Sequence, residues 1–569
     1  MTKVCFAQEM FFPLQSIQTL SAYLKRRGHP TDLAIGSPEE IVNYIKKTKP
    51  DLVAFSVLTA YRNHMLATAS AIKEAGLKVP LIAGGYDITF MPHILKHSDL
   101  DMICVGEGGD PIIELADALE RGADFRSLTI GNLHIKQADG GIVKNAMRYW
   151  MMNLDEAPFD DRDIYLEKDP YFKIIPFTQV LAGRGCPYPC TYCFNDGYKR
   201  IHMDAGMKGK EYTNFRSVDH VMAELVLLSE KYGSRDFFFN DSTLTYNKKW
   251  ILEFCEKYRE AGLTQTFSIN GVIPELSEDV CAALASTGKC RLIRFGLETG
   301  NENFRNLTLR KTITNDELIV VTDRLNRYGL RYSMQMMLGL PGEKMEYAWE
   351  SLDVARRITG PSGVHGINIF KPFPGLEINN VGLELGEYQA SDVIAPGSVA
   401  PPTWRKESLA VIENSMNNVL LPSDEAYLAS RKTMHLSGKT AVIEKPKTDQ
   451  ASALQSKAVL ANAISKATST TKKIEGTDKF GDIEMVFYDN YRRDKLGLQI
   501  LKLSRYSHVV IRFPGLRPIV EKLITLPDNA FNRAVWKITE GLLNIRVHAA
   551  APWSYFVKYF VFHSGKQVR

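Results

Sequence analysis

The sequence predicts an α/β chain in three parts: a doubly wound Rossmann-like domain, a partial, TIM-like (β/α)6 barrel, and a mixed, mostly helical C-terminal domain. Three observations carry this. Residues 1–122 alternate short apolar runs with amphipathic stretches, the rhythm of a parallel sheet wrapped by helices. A strand-then-helix repeat recurs about six times between 177 and 376, which favours parallel strands curling toward a barrel. The chain of 569 residues is also too long for one ordinary core.

In the first domain, strands are predicted at 3–7, 31–35, 51–57, 79–84 and 101–105, with helices at 15–27, 38–48, 63–76, 91–97 and 111–121. Ligands of such sheets sit beyond the carboxyl ends of the strands. The loops there are Ser56-Val57-Leu58-Thr59, Gly84-Gly85-Tyr86 and Gly106-Glu107-Gly108-Gly109. Glycines let a backbone approach a flat ligand, and hydroxyls can bond a polar tail. Residues 128–150 alternate about Asp139-Gly140-Gly141, as a β-hairpin does. Asn153 to Asp160 is polar and proline-bearing, like a linker. The expected domains are therefore 1–150, a linker 151–176, a core 177–385 and a C-terminal domain 386–569.

In the core, strands are predicted at 177–183, 235–240, 265–270, 291–297, 331–338 and 364–370, and helices near 218–232, 248–262, 277–287, 315–329 and 344–359. Chemistry in such barrels sits where strands end and loops begin. Cys186, Cys190 and Cys193 follow the first strand within eight residues. Three thiolates can surround one metal centre but leave a four-iron cluster one ligand short, because such clusters normally take a full cysteine set. Zinc is the alternative and would need a fourth ligand, for which His202 is nearest. Cys5, Cys104, Cys255, Cys281 and Cys290 stand alone and read as buried small apolar residues.

The Cys-x3-Cys-x2-Cys spacing, with Tyr192 just before the third cysteine, resembles the signature of the radical S-adenosylmethionine (SAM) enzymes. Upstream, Pro50-Asp51-Leu52-Val53 through Ser56, Gly84-Gly85 with Thr89 and Pro92, and Asp101 through Gly108 resemble the cobalamin-binding domain of the cobalamin-dependent, class B members. The resemblance implies a 4Fe–4S cluster on Cys186, Cys190 and Cys193, with the methionine part of SAM on the open iron. It implies cobalamin at Ser56, Thr59, Gly84, Gly85, Gly106 and Glu107. The Asp-x-His-x-x-Gly run of some cobalamin proteins is absent, implying cobalt without a histidine from that motif. Arg62 and His64 could approach the lower corrin face, or simply start a helix. For SAM the resemblance implies Tyr192, Asp241 on the amino group, and Glu298 on the ribose or ammonium. Arg310 and Lys311 would take its carboxylate, and Gly339 would lie along the adenine. Asn270 stands where an arginine is frequent.

The implied activity is methylation of an unactivated carbon. The cluster would reduce SAM to methionine and a 5′-deoxyadenosyl radical, which abstracts hydrogen from the substrate. Methylcobalamin, remade from a second SAM, would then supply the methyl group. The alternatives are cyclisation or oxidative rearrangement, as in the anaerobic cyclase that forms the fifth ring of chlorophylls, and a non-catalytic cobalamin-binding regulator or carrier. A carrier would have no use for the cysteine triad.

Composition agrees with a soluble cytoplasmic protein: 45% apolar and 24% charged residues, with no secretory leader and no run that spans a bilayer. Charge is uneven. Residues 431–569 hold 24 Lys+Arg against 11 Asp+Glu, a net of +13 in a chain of +5. Residues 386–402 read as loop and 440–478 as part helix, part mobile segment. Phe531, Ala534, Val535, Ile538, Leu542 and Ile545 recur at helical spacing, ahead of an aromatic run from Trp553 to Phe562. The expected partners are a small-molecule or lipid-like substrate and an electron donor such as flavodoxin or ferredoxin. The basic, aromatic C-terminus suits peripheral contact with a membrane. No nucleic-acid-binding signature is present, and the chain is expected to be a monomer.

Overall fold

The computed structural model describes residues 1–387, apart from 11, 150–152, 170, 171, 174, 176 and 359–362, together with 499, 500, 503, 506, 510 and 514–526. Most of the domain expected over 386–569 lies outside the described residues. So do residues 388–402 of its expected 386–402 loop, its 440–478 segment, its helical face at 531–545 and its aromatic run.

The first sheet takes five parallel strands, β1 (Val4–Gln8), β2 (Thr31–Ile35), β3 (Leu52–Ser56), β4 (Leu81–Gly84) and β5 (Met102–Cys104), in the order β2-β1-β3-β4-β5. Every residue of β1 is buried, because helices cover both faces. The predicted hairpin forms as β6 (Leu133–Lys136) and β7 (Ile142–Lys144) and extends the β5 edge antiparallel. Helices Gln15–Arg26, Pro38–Thr48, Arg62–Glu74 and Gly109–Glu120 start and stop within a few residues of expectation. Ser37 and Glu40 form a capping box, with Pro38 opening the helix. The helix expected at 91–97 differs: it is a short helix, Tyr86–Phe90, then a 3-10 segment, Pro92–His97. Pro92 disfavours helical geometry at Met91, which sits at φ −125°.

The second sheet is built from β8 (Thr178–Val180), β11 (Asp236–Phe239), β12 (Thr266–Asn270), β13 (Cys290–Glu298), β14 (Tyr332–Leu338) and β15 (Gly363–Ile369), all parallel and in that order. It is an open array of six strands, as a partial barrel requires. Its helix side is strongly aromatic. Trp250 stacks on Phe254 at 5.3 Å, and Phe254 meets Phe239 and Phe267 edge-on at 5.3 and 5.5 Å.

Two further features depart from the sequence reading. The strand expected at 177–183 is broken: β8 stops at Val180, and β9 (Gly183–Arg184) pairs antiparallel with β10 (Asn214–Phe215). The cause is Asp241. Its buried carboxylate accepts from the Ala182 and Gly183 amides at 3.0 and 2.6 Å, because a buried charge must be hydrogen-bonded. Second, Cys193 caps a helix, Phe194–Asp204, that the sequence reading lacks. Gly197 lowers its helix propensity, but a Cβ there would lie 2.5 Å from the Gly375 carbonyl.

Asp241 also sets a pH dependence. Burial lifts its carboxyl to about 6, against the pull of its backbone donors. The folded protein then holds a proton that the unfolded chain releases above its ordinary pKa of 3.8. This contribution to stability is fullest below pH ~4 and is lost as pH rises through ~6, by up to about 3 kcal/mol. Asp241→Asn should remove that slope and, independently of pH, cost roughly 1–3 kcal/mol for the lost acceptor. Urea unfolding of both apoproteins between pH 4 and 8 checks it; parallel curves would refute the assignment.

Candidate active site between two parallel sheets

Loops at the carboxyl ends of both sheets meet across one cleft. Glu107 of the first domain accepts from Arg184 Nη1 at 2.8 Å and from Tyr198 Oη at 3.4 Å. Arg184 stands two residues before Cys186, and Tyr198 lies on the helix that begins after Cys193. The Tyr86 ring packs between Phe194 and Tyr198, at 4.4 and 4.8 Å. Tyr86 and Phe194 are still 39% and 38% exposed, as is Leu58 at 43%. Apolar surface left open at a strand edge suits the flat face of a corrin.

Other residues expected at cobalamin lie along the same edge. Ser56 ends β3, and its Oγ is 2.7 Å from Ser16 Oγ. Thr59 opens a 3-10 turn, Thr59–Tyr61. Gly84 ends β4; Gly85 follows with φ +106°, and a Cβ there would lie 2.7 Å from the Val57 carbonyl oxygen. The Gly106 amide donates to Thr89 Oγ1 at 3.0 Å. A crevice lined by Gln8, Glu9, Met10, Ser56, Tyr61 and His64 opens beside β1 and β3, at the switch point where such sheets bind ligands. Burial raises the Glu9 carboxyl to about 7 there. His64 Nε2 lies 2.8 Å from the Gly36 carbonyl, and burial pushes its pKa down. Arg62 forms a buried ion pair with Asp87 at 2.5 Å.

Across the cleft, Cys186, Cys190 and Cys193 are free and half-buried. Burial pushes the Cys186 thiol up to about 12 and Cys193 to about 11; it also raises Cys190, opposed by Lys311. Zinc, with Zn–S near 2.3 Å, would draw three sulfurs to roughly 3.8 Å from one another. Among the described residues the only three-ligand group within 4.8 Å is His29, Asp117 and Glu120. The wider cysteine loop fits a multi-iron cluster. His202 is fully buried, its ring 4.6 Å from that of Tyr198.

The groups expected at SAM surround this loop. Tyr192 Oη and Lys311 Nζ donate to Glu298 Oε1 at 3.0 and 2.9 Å, beside Cys190. Glu298 adopts φ +67°, folding its carboxylate back over Gly296, where any Cβ would sit 1.7 Å from Oε1. Arg310 instead pairs with Glu377 at 2.6 Å, and Arg200 shares that carboxylate at 2.7 Å. Asn270 Nδ2 donates to the Asp241 carbonyl at 2.7 Å, placing Asn270 against the loop after β11. The Gly339 amide donates to Glu343. The Asp241 carboxylate is the one taken by two backbone amides. Sequence reasoning missed Arg184, Tyr198, Glu9 and Glu275. Glu275 collects Tyr188, Thr243 and Thr245 behind the cysteine loop. Only Glu9, just past a strand's carboxyl end, carried a readable signal.

Fold and site define an iron–sulfur enzyme with a second cofactor domain facing its cluster loop. Two family models match in the corresponding places: the B12 binding domain over residues 12–116 and the radical SAM superfamily over 180–355. The chain is a cobalamin-dependent radical SAM enzyme, and its cofactors are a 4Fe–4S cluster, SAM and cobalamin. It is similar to an uncharacterized methyltransferase of Pyrococcus horikoshii, 26% identical over 68% of this chain and 79% of the relative. It is also similar to the anaerobic magnesium-protoporphyrin IX monomethyl ester cyclase of Rubrivivax gelatinosus, 24% identical over 61% of this chain and 62% of that protein. The chain thus spans less than two thirds of the cyclase. Among solved structures, the cobalamin-dependent SAM radical enzyme OxsB with aqua-cobalamin and SAM bound shares the fold, with a TM-score of 0.58, 13% identity and coverage of 94% and 82%.

Replacing Cys186, Cys190 and Cys193 together by alanine should abolish the iron-linked visible absorbance of the reconstituted protein. Retention of a full complement of iron and sulfide would place the ligands elsewhere.

Proposed function

We propose that the protein is a C-methyltransferase, moving a methyl group from cobalamin to an unactivated carbon of a small molecule. The observation that carries this reading is the apposition of the Gly106–Gly109 loop and the cysteine loop through Glu107, Arg184 and Tyr198. When bound, the cluster and SAM supply a hydrogen-abstracting radical, and cobalamin, recharged by a second SAM, supplies the methyl group. The chain's own residues hold these partners in line and exclude water. Ser56, Thr59, Gly84, Gly85 and Gly106 form the cobalamin side. Tyr192, Glu298 and Lys311 offer both signs of charge to the amino-acid end of SAM. Asn270 and Gly339 line the remaining edge, and Arg310 stands beyond them on Glu377. Asp241 acts through the backbone, fixing the segment that leads into Cys186.

The methyltransferase relative supports this reading. A second reading, radical cyclisation or oxidative rearrangement, is favoured by the likeness to the cyclase. An electron donor such as flavodoxin or ferredoxin, a monomeric state and a cytoplasmic location complete the proposal. Among the described residues no helix is long and apolar enough to cross a membrane.

Turnover of the reconstituted enzyme with metabolite extract and methyl-labelled SAM should release S-adenosylhomocysteine and 5′-deoxyadenosine in similar amounts. Substrate-dependent deoxyadenosine without S-adenosylhomocysteine would overturn methylation in favour of rearrangement.

A further inference from the structure

Side chains of β13 alternate between two surroundings. Ile293, Phe295 and Leu297 join the aromatic core on the helix side, so Arg294 faces the inner side of the sheet together with Gly296 and Glu298. Its neighbours come from the adjoining strands. Arg294 Nε donates to Asn270 Oδ1 at 3.1 Å, and its guanidinium carbon lies 4.1 Å from the centre of the Phe238 ring. Ser333 is its register partner on β14. Among the described residues, no carboxylate lies within ion-pairing distance of Arg294. Burial and the neighbouring Arg291 both press its pKa down, to about 10, and no anion opposes them. The group is still a cation at neutral pH.

More deeply placed arginines among the described residues are treated differently. Arg62 has Asp87, Arg162 has Glu224, and Arg291 has Asp236. Arg305 spends its donors on backbone carbonyls. Arg294 keeps most of its five donors unspent. On the same face, Ser268 stands two residues before Asn270, the register partner of Arg294 on β12: Phe267 and Ile269 enter the helix-side core, and Ser268 turns inward. Its hydroxyl is fully buried and has no hydrogen-bond partner among the described residues. Arg294 is half-buried; a partly desolvated cation without a counter-charge and an orphaned buried hydroxyl each gain from a ligand that answers them. One anion would answer both. The planar guanidinium fork matches a carboxylate or a phosphate.

We propose that Arg294, with Ser268, is the anchor for an anionic group of the substrate, so that the molecule methylated carries a carboxylate or a phosphate. The proposal rests on the radical-transfer reading of the cleft. Its anchor is distinct from the charges at Cys190: the Glu298 carboxylate folds back over Gly296, two residues farther along β13 or about 7 Å at ~3.3 Å per residue, and is already matched by Lys311 and Tyr192. The anion would seat the substrate on the inner face while the carbon to be methylated projects toward the cleft.

Equilibrium dialysis tests this without turnover. The holoenzyme, loaded with cluster, cobalamin and SAM, is dialysed against labelled inorganic phosphate and, separately, labelled acetate. One equivalent of one anion should bind, at least tenfold more weakly in Arg294→Gln and with partial recovery in Arg294→Lys. The anion held more tightly tells phosphate from carboxylate. Equal binding by wild type and R294Q, or no binding of either anion, would overturn the anchor while leaving methyl transfer standing. SAM affinity, read from the perturbation of the reduced cluster's electron paramagnetic resonance, should be the same in wild type and R294Q. A tenfold loss there would assign Arg294 to the carboxylate of SAM and overturn the proposal. Failure of the methyl-transfer reading would appear separately, as missing S-adenosylhomocysteine.

Discussion

The carboxylate of Glu107 holds the two halves of this enzyme in register. Both sheets present the carboxyl ends of their strands to the same cleft, so the loops that meet there are the flexible ends of otherwise rigid layers. One acidic side chain ties them, taking Arg184 on one oxygen and Tyr198 on the other. The pair is partly shielded from water, where an ion pair is worth more than at a free surface. Its charge holds the Arg184 guanidinium firmly protonated. Behind it, Arg162 in the linker bonds Gln18 of the first domain and Glu224 of the second, and Asp155 accepts from the Ser217 amide. The cleft is therefore braced at its mouth and along its back.

The two charged groups facing the cleft illustrate opposite preparations for binding. Glu298 is matched in advance by Lys311 and Tyr192, in a conformation that Gly296 alone permits. Such a group can exchange partners with a zwitterion at little cost in reorganisation. Arg294 is half-buried without an anionic partner among the described residues and gains most from a ligand that brings its own negative charge. Both sit on β13, the longest strand described, which spans from the sheet's interior to the cleft.

Much of this was legible in the sequence, because much of it is local. Runs such as Phe237-Phe238-Phe239 followed by Asn240-Asp241 mark a strand and its end within six residues, and five apolar runs spaced by amphipathic segments imply a wound sheet. The cysteine spacing names its own chemistry. What escaped depends on partners distant in sequence. Asp241 breaks a strand about sixty residues upstream by taking its amides. Gly197 sits in a helix because a carbonyl nearly two hundred residues away crowds it. Glu107 was legible as part of a glycine loop at a strand end, yet its side chain points to a residue 77 positions on. Periodicity carries no information about such pairings.

The order of the chain gives the Glu107 tie a direction in time. The Gly106–Gly109 loop is made before the cysteine loop, and Arg184 emerges 77 residues after Glu107. At roughly 5–20 residues per second, that interval is on the order of 4–15 s, far longer than helices and hairpins need to form. The early domain can thus be complete while the cysteine loop is still being synthesised. Arg184 then reaches a waiting carboxylate two residues ahead of the first cysteine. A newly made chain would meet iron with that loop already moored at one end.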